Sequence, residues 1–358
     1  MNRLVVLSYD YPPNNGGIAR LCGEIINQCK KNAVPYLVVT PIAGPNEDNV
    51  VRITGARPIV DFKILAYLRK NLLQDDVILT GTFHPDGMLA ILSGHKTYFL
   101  GHGAEFLPGQ GFFRKKIWPI YRKWILSKPI ANISNSHYTE GLIKICSPNS
   151  KVIPIPLAVD HIKFHPTVNK KKDGILHLCS VSRLEKFKAQ DFVIDVISRL
   201  PKAYRNKVRF EIAGKGPYKQ TLETLVHDKQ LDDIVTFLGF VSDDDLCNFY
   251  SRNDIFILTT REVYNTREVE GFGLVFTEAQ ACGTACIGSN SGGIPDAIDN
   301  GNGGWLIKED NIEELTQLLK YLIDNPVSVE QMCFKARKRI EENCNWDFYF
   351  KKLKEQIL

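Results

Sequence analysis

Short runs of β-branched and aromatic residues alternate with segments of helical periodicity along the whole chain, and this alternation limits the fold more than any other feature. Apolar runs of this kind, bounded by turn residues, are typical of strands that are buried on both faces of a parallel sheet. Such sheets need helices on both faces. The sequence therefore predicts an α/β protein built from doubly wound parallel sheets.

The apolar runs fall into two successive sets, which predicts two domains of this kind. In the first set the expected strands lie at Leu4–Leu7, Tyr36–Val39, Val77–Leu79, Thr97–Leu100, Pro129–Ile133 and Val152–Ile155. In the second set they lie at Ile175–Val181, Val208–Ile212, Val235–Leu238, Ile255–Leu258 and Ala285–Ile287. A chain of 358 residues is also long enough to bury two full hydrophobic cores.

The two sets are separated by a proline-rich and lysine-rich stretch from Pro154 to Asp173, which is unsuited to the interior of a helix or strand. We expect a hinge there, with an N-terminal Rossmann-like domain over residues 1–160 and a C-terminal Rossmann-like domain over residues 170–342. Apolar residues recur at helical spacing in the last segment, so residues 343–358 are expected to form a docked terminal helix.

Cysteine usage and the N-terminal sequence bear on the compartment. The nine cysteines include no Cys-x-x-Cys pair and lie in apolar stretches, so we interpret them as reduced core residues and assign no metal site to them. The acidic run Asp243–Asp245 follows Ser242 and is interpreted as a capped helix start. The N-terminal residues lack the apolar length of a signal peptide, and no later run has the length of a membrane span. These observations predict a cytoplasmic protein.

Basic residues are concentrated in the N-terminal half, where residues 1–165 contain 19 Lys and Arg against 11 Asp and Glu. This asymmetry predicts an anionic partner, either phosphate groups on a ligand or the surface of an anionic membrane. The stretch 112–124 interleaves bases with aromatics at helical spacing and has two interpretations. It lies on the inner face of an anionic membrane, or it packs on the sheet with its lysines merely solvated. Nucleic-acid binding is disfavoured because no recognition helix or base-stacking motif is present.

The segment Glu270–Ala279 gives the strongest indication of a binding site. Gly271 and Gly273 permit a close approach of the backbone, and a helix that begins after them would direct free N–H groups at a ligand. Such a turn suits a diphosphate. Glu278, about one turn into that helix, can accept hydrogen bonds from two vicinal ribose hydroxyls, and Glu270 can reach a hexose.

Two further loops follow predicted strands. Arg183 and Lys188 come after the first strand of the second set, where open α/β sheets bind ligands, and can neutralise the charge on a departing diphosphate. Gly16 and Gly17 close a glycine-containing loop between the first strand and the first helix. This loop matches neither the Gly-x-Gly-x-x-Gly nor the Walker pattern, which disfavours a nicotinamide-dependent dehydrogenase.

In their order along the chain these motifs resemble glycosyltransferase family 4, a group of retaining glycosyltransferases with the GT-B fold. The resemblance extends over nearly the whole chain, and its landmarks are Gly16–Gly17, His102–Glu105, Ser134–Ser136, Arg183 with Lys188, Ala213–Pro217, Phe237–Gly239, Glu270 with Glu278, and Ser291–Pro295. It departs from the family at Ala189, where glycine is usual, and at Asp296, where glutamate is usual. The resemblance implies two Rossmann-like domains that face each other across a cleft, and a terminal helix that crosses back to the N-terminal domain.

The resemblance also implies roles for the matching residues. The implied catalytic residues are Glu270, Arg183, Lys188 and His102. The implied donor-binding residues are Gly16, Gly17, Gly214, Gly271, Phe272, Gly273, Leu274 and Glu278. His84 and Glu105 are further candidates on the acceptor side. No metal and no cofactor is expected beside the nucleotide-sugar donor.

The expected reaction is transfer of a hexose-type sugar from a UDP- or GDP-linked donor to an acceptor hydroxyl, with retention of the anomeric configuration. The acceptor attacks on the face that the diphosphate leaves, and the leaving phosphate takes the proton. A double displacement through a glutamate nucleophile is the competing mechanism. The expected acceptor is a lipid-linked or growing surface-polysaccharide glycan. A small soluble acceptor, a nucleotide-sugar 2-epimerase of the same fold and a nucleotide-sugar-binding protein without catalysis remain as alternatives.

Overall fold

The structure is a computed structural model that describes residues 3–108, 111–263 and 268–358. Contacts divide the chain into two compact units, each with a sheet of its own. The first unit comprises Met1–Pro156 together with Trp346–Leu358, and the second comprises Leu157–Asn345. The second unit therefore interrupts the sequence of the first.

The first unit is built on a seven-stranded sheet in the order β3-β2-β1-β4-β5-β6-β7, with every pairing parallel. Its strands are β1 Leu4–Leu7, β2 Tyr36–Thr40, β3 Val50–Arg52, β4 Val77–Thr80, β5 Lys96–Gly101, β6 Ala131–Ser134 and β7 Val152–Pro154. Its first helices are α1 Gly17–Lys31, α2 Ile59–Asn71, α3 Asp86–Ser93, α4 Trp118–Leu126 and α5 His137–Cys146. A π-helical segment, Phe113–Ile117, leads into α4. Apolar residues of the central strands are buried on both faces, as a doubly wound sheet requires.

The second unit is built on a six-stranded parallel sheet in the order β10-β9-β8-β11-β12-β13. Its strands are β8 Leu176–Val181, β9 Val208–Ala213, β10 Val235–Gly239, β11 Ile255–Leu258, β12 Ala285–Ser289 and β13 Gly304–Ile307. Its helices are α6 Gln190–Arg199, α7 Lys202–Arg205, α8 Lys219–Asp228, α9 Leu246–Ser251, α10 Leu274–Ala281, α11 Ile294–Ile298, α12 Ile312–Asp324 and α13 Pro326–Asn343. The two faces of this sheet carry separate apolar cores.

The last helix, α14 Trp346–Ile357, belongs to the first unit. It packs against α1 and buries Tyr349, Phe350, Leu353 and Ile357. At the other boundary, residues 157–172 lie in the second unit, because Val159 pairs with Asn345 and Phe164 is buried in the core of that unit. By contacts, the boundary between the units thus lies at the start of the proline-rich stretch.

The fold class predicted from the sequence is confirmed. Every predicted strand is present, with ends that shift by a residue or two. The sequence missed β3 and β13, which lie at outer edges of the two sheets. Neither edge strand is buried along its whole length, so neither carries a full apolar run.

The order of strands reverses between β1 and β4 in the first sheet and between β8 and β11 in the second. In open doubly wound sheets, ligands bind outside the carboxyl ends of the strands at this switch point. The loops that follow these four strands are therefore the ones that each unit offers to a ligand.

None of the helices in the described part of the chain combines the length and the apolarity that crossing a bilayer requires. All nine cysteines are free thiols, and only Cys146 and Cys247 are partly exposed.

Candidate functional site

The carboxyl edge of the second sheet brings Lys188 and Glu270 into contact. Lys188 ends a short 3-10 turn after β8, and Glu270 lies just before α10. The Lys188 Nζ donates to Glu270 Oε2 at 2.8 Å, and the two side chains are only 14% and 19% exposed. A largely buried ion pair holds both groups in one arrangement, because either charge alone would be poorly solvated. Two of the residues expected to be catalytic thus lie side by side.

The turn that carries Lys188 is fixed by a residue that sequence reasoning missed. Arg261 follows β11, on the other side of the switch point, and its backbone N donates to Phe187 O at 2.7 Å. Its guanidinium donates to Lys186 O at 3.1 Å and pairs with Asp191 and Asp310. The only sequence signal was a basic residue shortly after a predicted strand.

Ala189 ends this turn with φ 57° and ψ 31°, in the left-handed region. Glycine adopts that conformation without steric cost, which explains why the family usually has glycine at this position. Alanine adopts this left-handed conformation here at a steric cost that glycine would not have.

Arg183 and Lys186 are placed differently from Lys188. Arg183 is 79% exposed, and its guanidinium pairs with Glu185 at 2.7 Å. The side chain of Lys186 is also exposed. Of the three cations in this loop, Lys188 is thus the one held against Glu270.

The glycine-rich turn between Glu270 and α10 is tightly packed. Gly273 caps α10 with φ 93°, and a Cβ there would lie 2.6 Å from the ring of Phe276. Phe272 is buried in the core, so its backbone rather than its ring would face a ligand. Leu274, the first residue of α10, is partly exposed.

The loop Ser291–Gly293 packs against this turn. Gly293 N donates to Glu270 O at 2.8 Å. A Cβ on Gly293 would overlap the carbonyl oxygen of Gly271. This family landmark therefore serves to position Glu270 and Gly271.

Glu278 lies on α10, partly exposed, and is oriented by a buried tyrosine. The hydroxyl of Tyr250, on α9, donates to Glu278 Oε2 at 3.1 Å. Burial, and then the negative charge of Glu278, raise the pKa of the Tyr250 hydroxyl well above its usual value, so it stays a donor. No sequence signal indicated this pair, because the two residues lie on different helices.

Gly214 marks a close approach between the loops that follow β9 and β8. Its φ is 135°, and a Cβ would overlap the carbonyl oxygen of Ser182. Only glycine fits at this point. The loop after β9 thus presents its backbone beside the loop that carries Arg183.

In the first unit, His102 follows β5 and is held at three points. Its Nε2 contacts Gly81 O at 2.7 Å, its backbone N donates to Glu105 Oε1 at 2.6 Å, and its carbonyl accepts from Asn135 Nδ2 at 3.0 Å. Because a carbonyl oxygen can only accept, Nε2 must carry the proton. In the neutral form of the ring, Nδ1 is therefore the nitrogen that can accept a hydrogen bond. Glu105, a candidate acceptor-side residue, supports the backbone of His102.

The loop before α1 contains two glycines, and only one of them has space for a side chain. A Cβ on Gly16 would lie 2.6 Å from Asp10 Oδ2, whereas nothing lies within 4 Å of a Cβ on Gly17. Asp10 also accepts a hydrogen bond from Asn14 Nδ2 at 2.9 Å. Gly16 is the cap residue of α1, and no side-chain hydrogen bond of a cap residue satisfies the first backbone N–H groups of this helix.

His84 lies in an aromatic cluster at the same edge of the sheet. Its Nδ1 is 2.9 Å from the hydroxyl of Tyr121, and its ring meets Trp118 edge-on at 5.3 Å between centroids. Burial, and then the charge of Arg57, lower the pKa of the His84 imidazole. The ring is accordingly neutral at pH 7.

The stretch 112–124 is only partly packed on the first unit. Arg122 is buried and donates to Phe106 O at 2.7 Å, so it does not belong to a basic surface as the sequence pattern had indicated. Five large apolar side chains of the stretch are exposed, namely Phe112, Phe113, Ile117, Ile120 and Trp124. Arg114, Lys115, Lys116 and Lys123 are exposed among them.

Among the described residues, no three His, Cys, Asp or Glu side chains converge as metal ligands. Asp245 N donates to Ser242 Oγ at 3.3 Å immediately before α9, which matches the interpretation of Asp243–Asp245 as a capped helix start.

Comparison with known proteins identifies the family. Residues 161–344 match the model of the glycosyl transferases group 1. A GDP-mannose-dependent alpha-(1-6)-phosphatidylinositol monomannoside mannosyltransferase of Mycobacterium tuberculosis is 23% identical, over 99% of this chain and 97% of its own. A phosphatidylinositol N-acetylglucosaminyltransferase subunit of Arabidopsis thaliana is 31% identical, over 83% of this chain and 69% of its own.

A solved structure confirms the fold. Anabaena Alr3699/HepE in complex with UDP and glucose matches with a TM-score of 0.74 at 16% identity, covering 99% of both chains. The two parallel sheets and this likeness establish the GT-B fold. Together with the family match over more than half of the sequence, they show that the chain belongs to the glycosyl transferases group 1 and is a glycosyltransferase that acts on a nucleotide sugar.

Proposed function

We propose that this enzyme transfers a hexose-type sugar from a UDP- or GDP-linked donor to an acceptor hydroxyl, with retention of configuration and without a metal ion. The acceptor is a lipid-linked or growing surface-polysaccharide glycan. The observation that carries the proposal is the buried Lys188–Glu270 pair beside the glycine-rich start of α10. It sets a cation, a carboxylate and the backbone N–H groups of a helix start at one sheet edge.

The donor binds along the start of α10. The backbone N–H groups after Gly273 face the diphosphate, for which a helix N-terminus is a suitable site. Glu278 accepts hydrogen bonds from the ribose hydroxyls, since Tyr250 holds its carboxylate in place. Glu270 contacts the hexose.

Lys188 stabilises the negative charge that develops on the leaving diphosphate, and the exposed Arg183 adds a second cation. These two cations supply the positive charge that a divalent metal ion would otherwise provide for the diphosphate. The enzyme is therefore expected to keep its activity in excess EDTA. Loss of activity that Mg²⁺ or Mn²⁺ restores would contradict this part of the proposal.

Attack by the acceptor on the face that the diphosphate leaves is favoured over a double displacement. Glu270 already accepts a hydrogen bond from Lys188, and a carboxylate in such a pair is a weaker nucleophile than a free one. NMR of the product sugar will show whether the anomeric configuration is retained. A covalent sugar–Glu270 adduct detected by mass spectrometry would favour the double displacement instead.

A lipid-linked acceptor is supported by features of the first unit. His102 presents Nδ1 as an acceptor for a hydroxyl group, and His84 lies beside Trp118 at the same edge. The exposed apolar and basic side chains of the stretch 112–124 suit the inner face of an anionic membrane. The names of both relatives described above include phosphatidylinositol, which supports an acceptor at a membrane surface.

The first test is thermal unfolding with UDP, GDP, ADP and the matching sugar nucleotides. A ligand at about 100 times its dissociation constant stabilises a protein by roughly 2.7 kcal/mol. Wild type is compared with Glu278→Gln, which keeps an oxygen for the Tyr250 hydroxyl but removes the charge. Glu223→Gln, at an exposed position on α8, is the matched control.

We expect one nucleotide to raise the melting temperature of wild type and of Glu223→Gln, and to have much less effect on Glu278→Gln. That result identifies the donor base and supports the ribose role. No shift with any nucleotide, or an equal shift in Glu278→Gln, would contradict the proposed donor site. Formation of an epimerised donor without any acceptor would indicate a 2-epimerase.

A further inference from the structure

Asp86 links the two loops that flank the switch point of the first sheet. It is the first residue of α3 and is only 1% exposed. Its Oδ2 accepts hydrogen bonds from Thr82 N, after β4, at 3.1 Å and from Tyr9 N, after β1, at 3.4 Å. A single carboxylate thus ties together the ends of the two strands between which the sheet order reverses.

A buried aspartate is an unfavourable choice if its only role is to hold these two loops together. Within the described residues, Asp86 Oδ1 has no hydrogen-bond partner. Burial raises the pKa of this carboxyl to about 7, which shows how poorly its charge is solvated. Asparagine would accept the same two N–H groups without an ionisation penalty. Groups that are kept buried despite such a penalty occur most often at functional sites.

The hydrogen bond between Thr82 and Asp86 is adjacent to the contact that holds His102. Thr82 is the neighbour of Gly81, whose carbonyl oxygen binds the Nε2 of His102. Gly81 C=O and Thr82 N–H belong to one planar peptide unit, and Gly81 N donates to Leu7 O at 2.9 Å. The hydrogen bond from Thr82 to Asp86 therefore sets the direction of the Gly81 carbonyl.

We propose that Asp86 is a positioning residue that fixes His102 in its Nε2-protonated tautomer by holding the Gly81 carbonyl in place. The Nδ1 lone pair of His102 then points in a constant direction toward the acceptor hydroxyl. The catalytic consequence rests on the proposed function, whereas the tautomer of His102 is a property of the protein alone.

Imidazole nitrogen NMR of ¹⁵N-histidine-labelled protein tests the proposal, with the His102 signals assigned from a His102→Gln variant. Asp86→Ala removes the acceptor, Asp86→Leu removes it with a side chain of similar shape in case the alanine variant does not fold, and Asp86→Asn restores an acceptor. Asp76→Asn is the matched control. Asp76 is as deeply buried as Asp86 and lies at the opposite end of β4, where it pairs with Arg3 at 2.6 Å.

We expect His102 to show a single Nε2-protonated tautomer in wild type, Asp76→Asn and Asp86→Asn, and a mixture of tautomers in Asp86→Ala or Asp86→Leu. With the acceptor assay, the last two variants are expected to lose about 10- to 100-fold in kcat, with donor KM almost unchanged, as a misplaced catalytic group would produce. Asp86→Asn should recover most of this loss.

An unchanged tautomer in Asp86→Ala and Asp86→Leu would overturn the proposal, and so would an equal change in Asp76→Asn. These outcomes do not depend on turnover. If wild type transferred no sugar, the proposed function would fail while the NMR result would still decide the role of Asp86.

Discussion

The Lys188–Glu270 pair provides the sharpest test of the donor site, through the substitution Lys188→Met. Methionine keeps most of the aliphatic length of lysine and removes the charge. Removal of one partner of a fully buried ion pair destabilises a protein by about 3–5 kcal/mol. Removal of one partner of an exposed ion pair destabilises it by only about 0–1 kcal/mol. With side chains 14% and 19% exposed, the loss here should be about 2–3 kcal/mol.

The substitution should also lower the catalytic rate, by more than the loss of stability alone would explain. If Lys188 stabilises the leaving diphosphate, its removal lowers kcat by about 100- to 1,000-fold, as the loss of one charge-stabilising donor typically does. The assay is steady-state kinetics with the donor identified by thermal unfolding, at a temperature where the variant remains folded by circular dichroism. Lys186→Met is the matched control, since Lys186 belongs to the same turn but is exposed.

A double variant separates catalysis from stability. Lys188→Met with Glu270→Gln removes both charges, so the unfolding free energy should fall by about 1–2 kcal/mol less than the sum of the single losses. Activity should not recover if each side chain contacts the donor by itself, as proposed. If the double variant regained most of its activity, or if Lys186→Met lost as much as Lys188→Met, the assignment of Lys188 to the diphosphate would be wrong.

Three further predictions concern Gly17 and the stretch 112–124 in the first unit and Gly214 in the second. Gly17→Ala should leave the unfolding free energy unchanged or raise it by up to about 1 kcal/mol, because a Cβ there meets open space at a helix start, but it should raise the donor KM. A normal donor KM in Gly17→Ala would refute the donor-binding role of that loop. Gly214→Ala should lose more than about 3 kcal/mol in urea unfolding, since its Cβ would overlap a backbone carbonyl at φ 135°. The variant Lys115→Glu/Lys116→Glu/Lys123→Glu should bind anionic phospholipid vesicles about 100-fold more weakly than wild type, at roughly 1 kcal/mol or more for each lysine, and equal binding in a sedimentation assay would exclude the membrane role.

The sequence was sufficient to predict every strand of the two sheets except the edge strands β3 and β13, because strands buried on both faces leave long apolar runs. It also singled out Lys188 and Glu270 as candidates, since glycine turns and charged residues after strands follow general rules for ligand sites. It could not show that these two side chains pair with each other. That contact depends on how the loops after β8 and before α10 fold together.

The residues that sequence reasoning missed share one property: their importance lies in a single distant contact. Tyr250 orients Glu278 from another helix, and Arg261 holds the Lys186–Lys188 turn from across the switch point. Asp86 looks like an ordinary helix-start residue until its buried, half-satisfied carboxylate is seen. No local pattern distinguishes these residues from many others of the same type.

The interruption of the first unit by the second affects how the chain can fold as it is synthesised. Residues 157–345 form a continuous unit, so the second unit can complete its core as soon as these residues have left the ribosome. The first unit must wait for Trp346–Ile357, because that helix covers α1, and its Tyr349 is fully buried there. A nascent chain would therefore carry an uncovered apolar face on α1 throughout most of translation. The first unit, whose synthesis begins first, is thus the later of the two units to complete its fold.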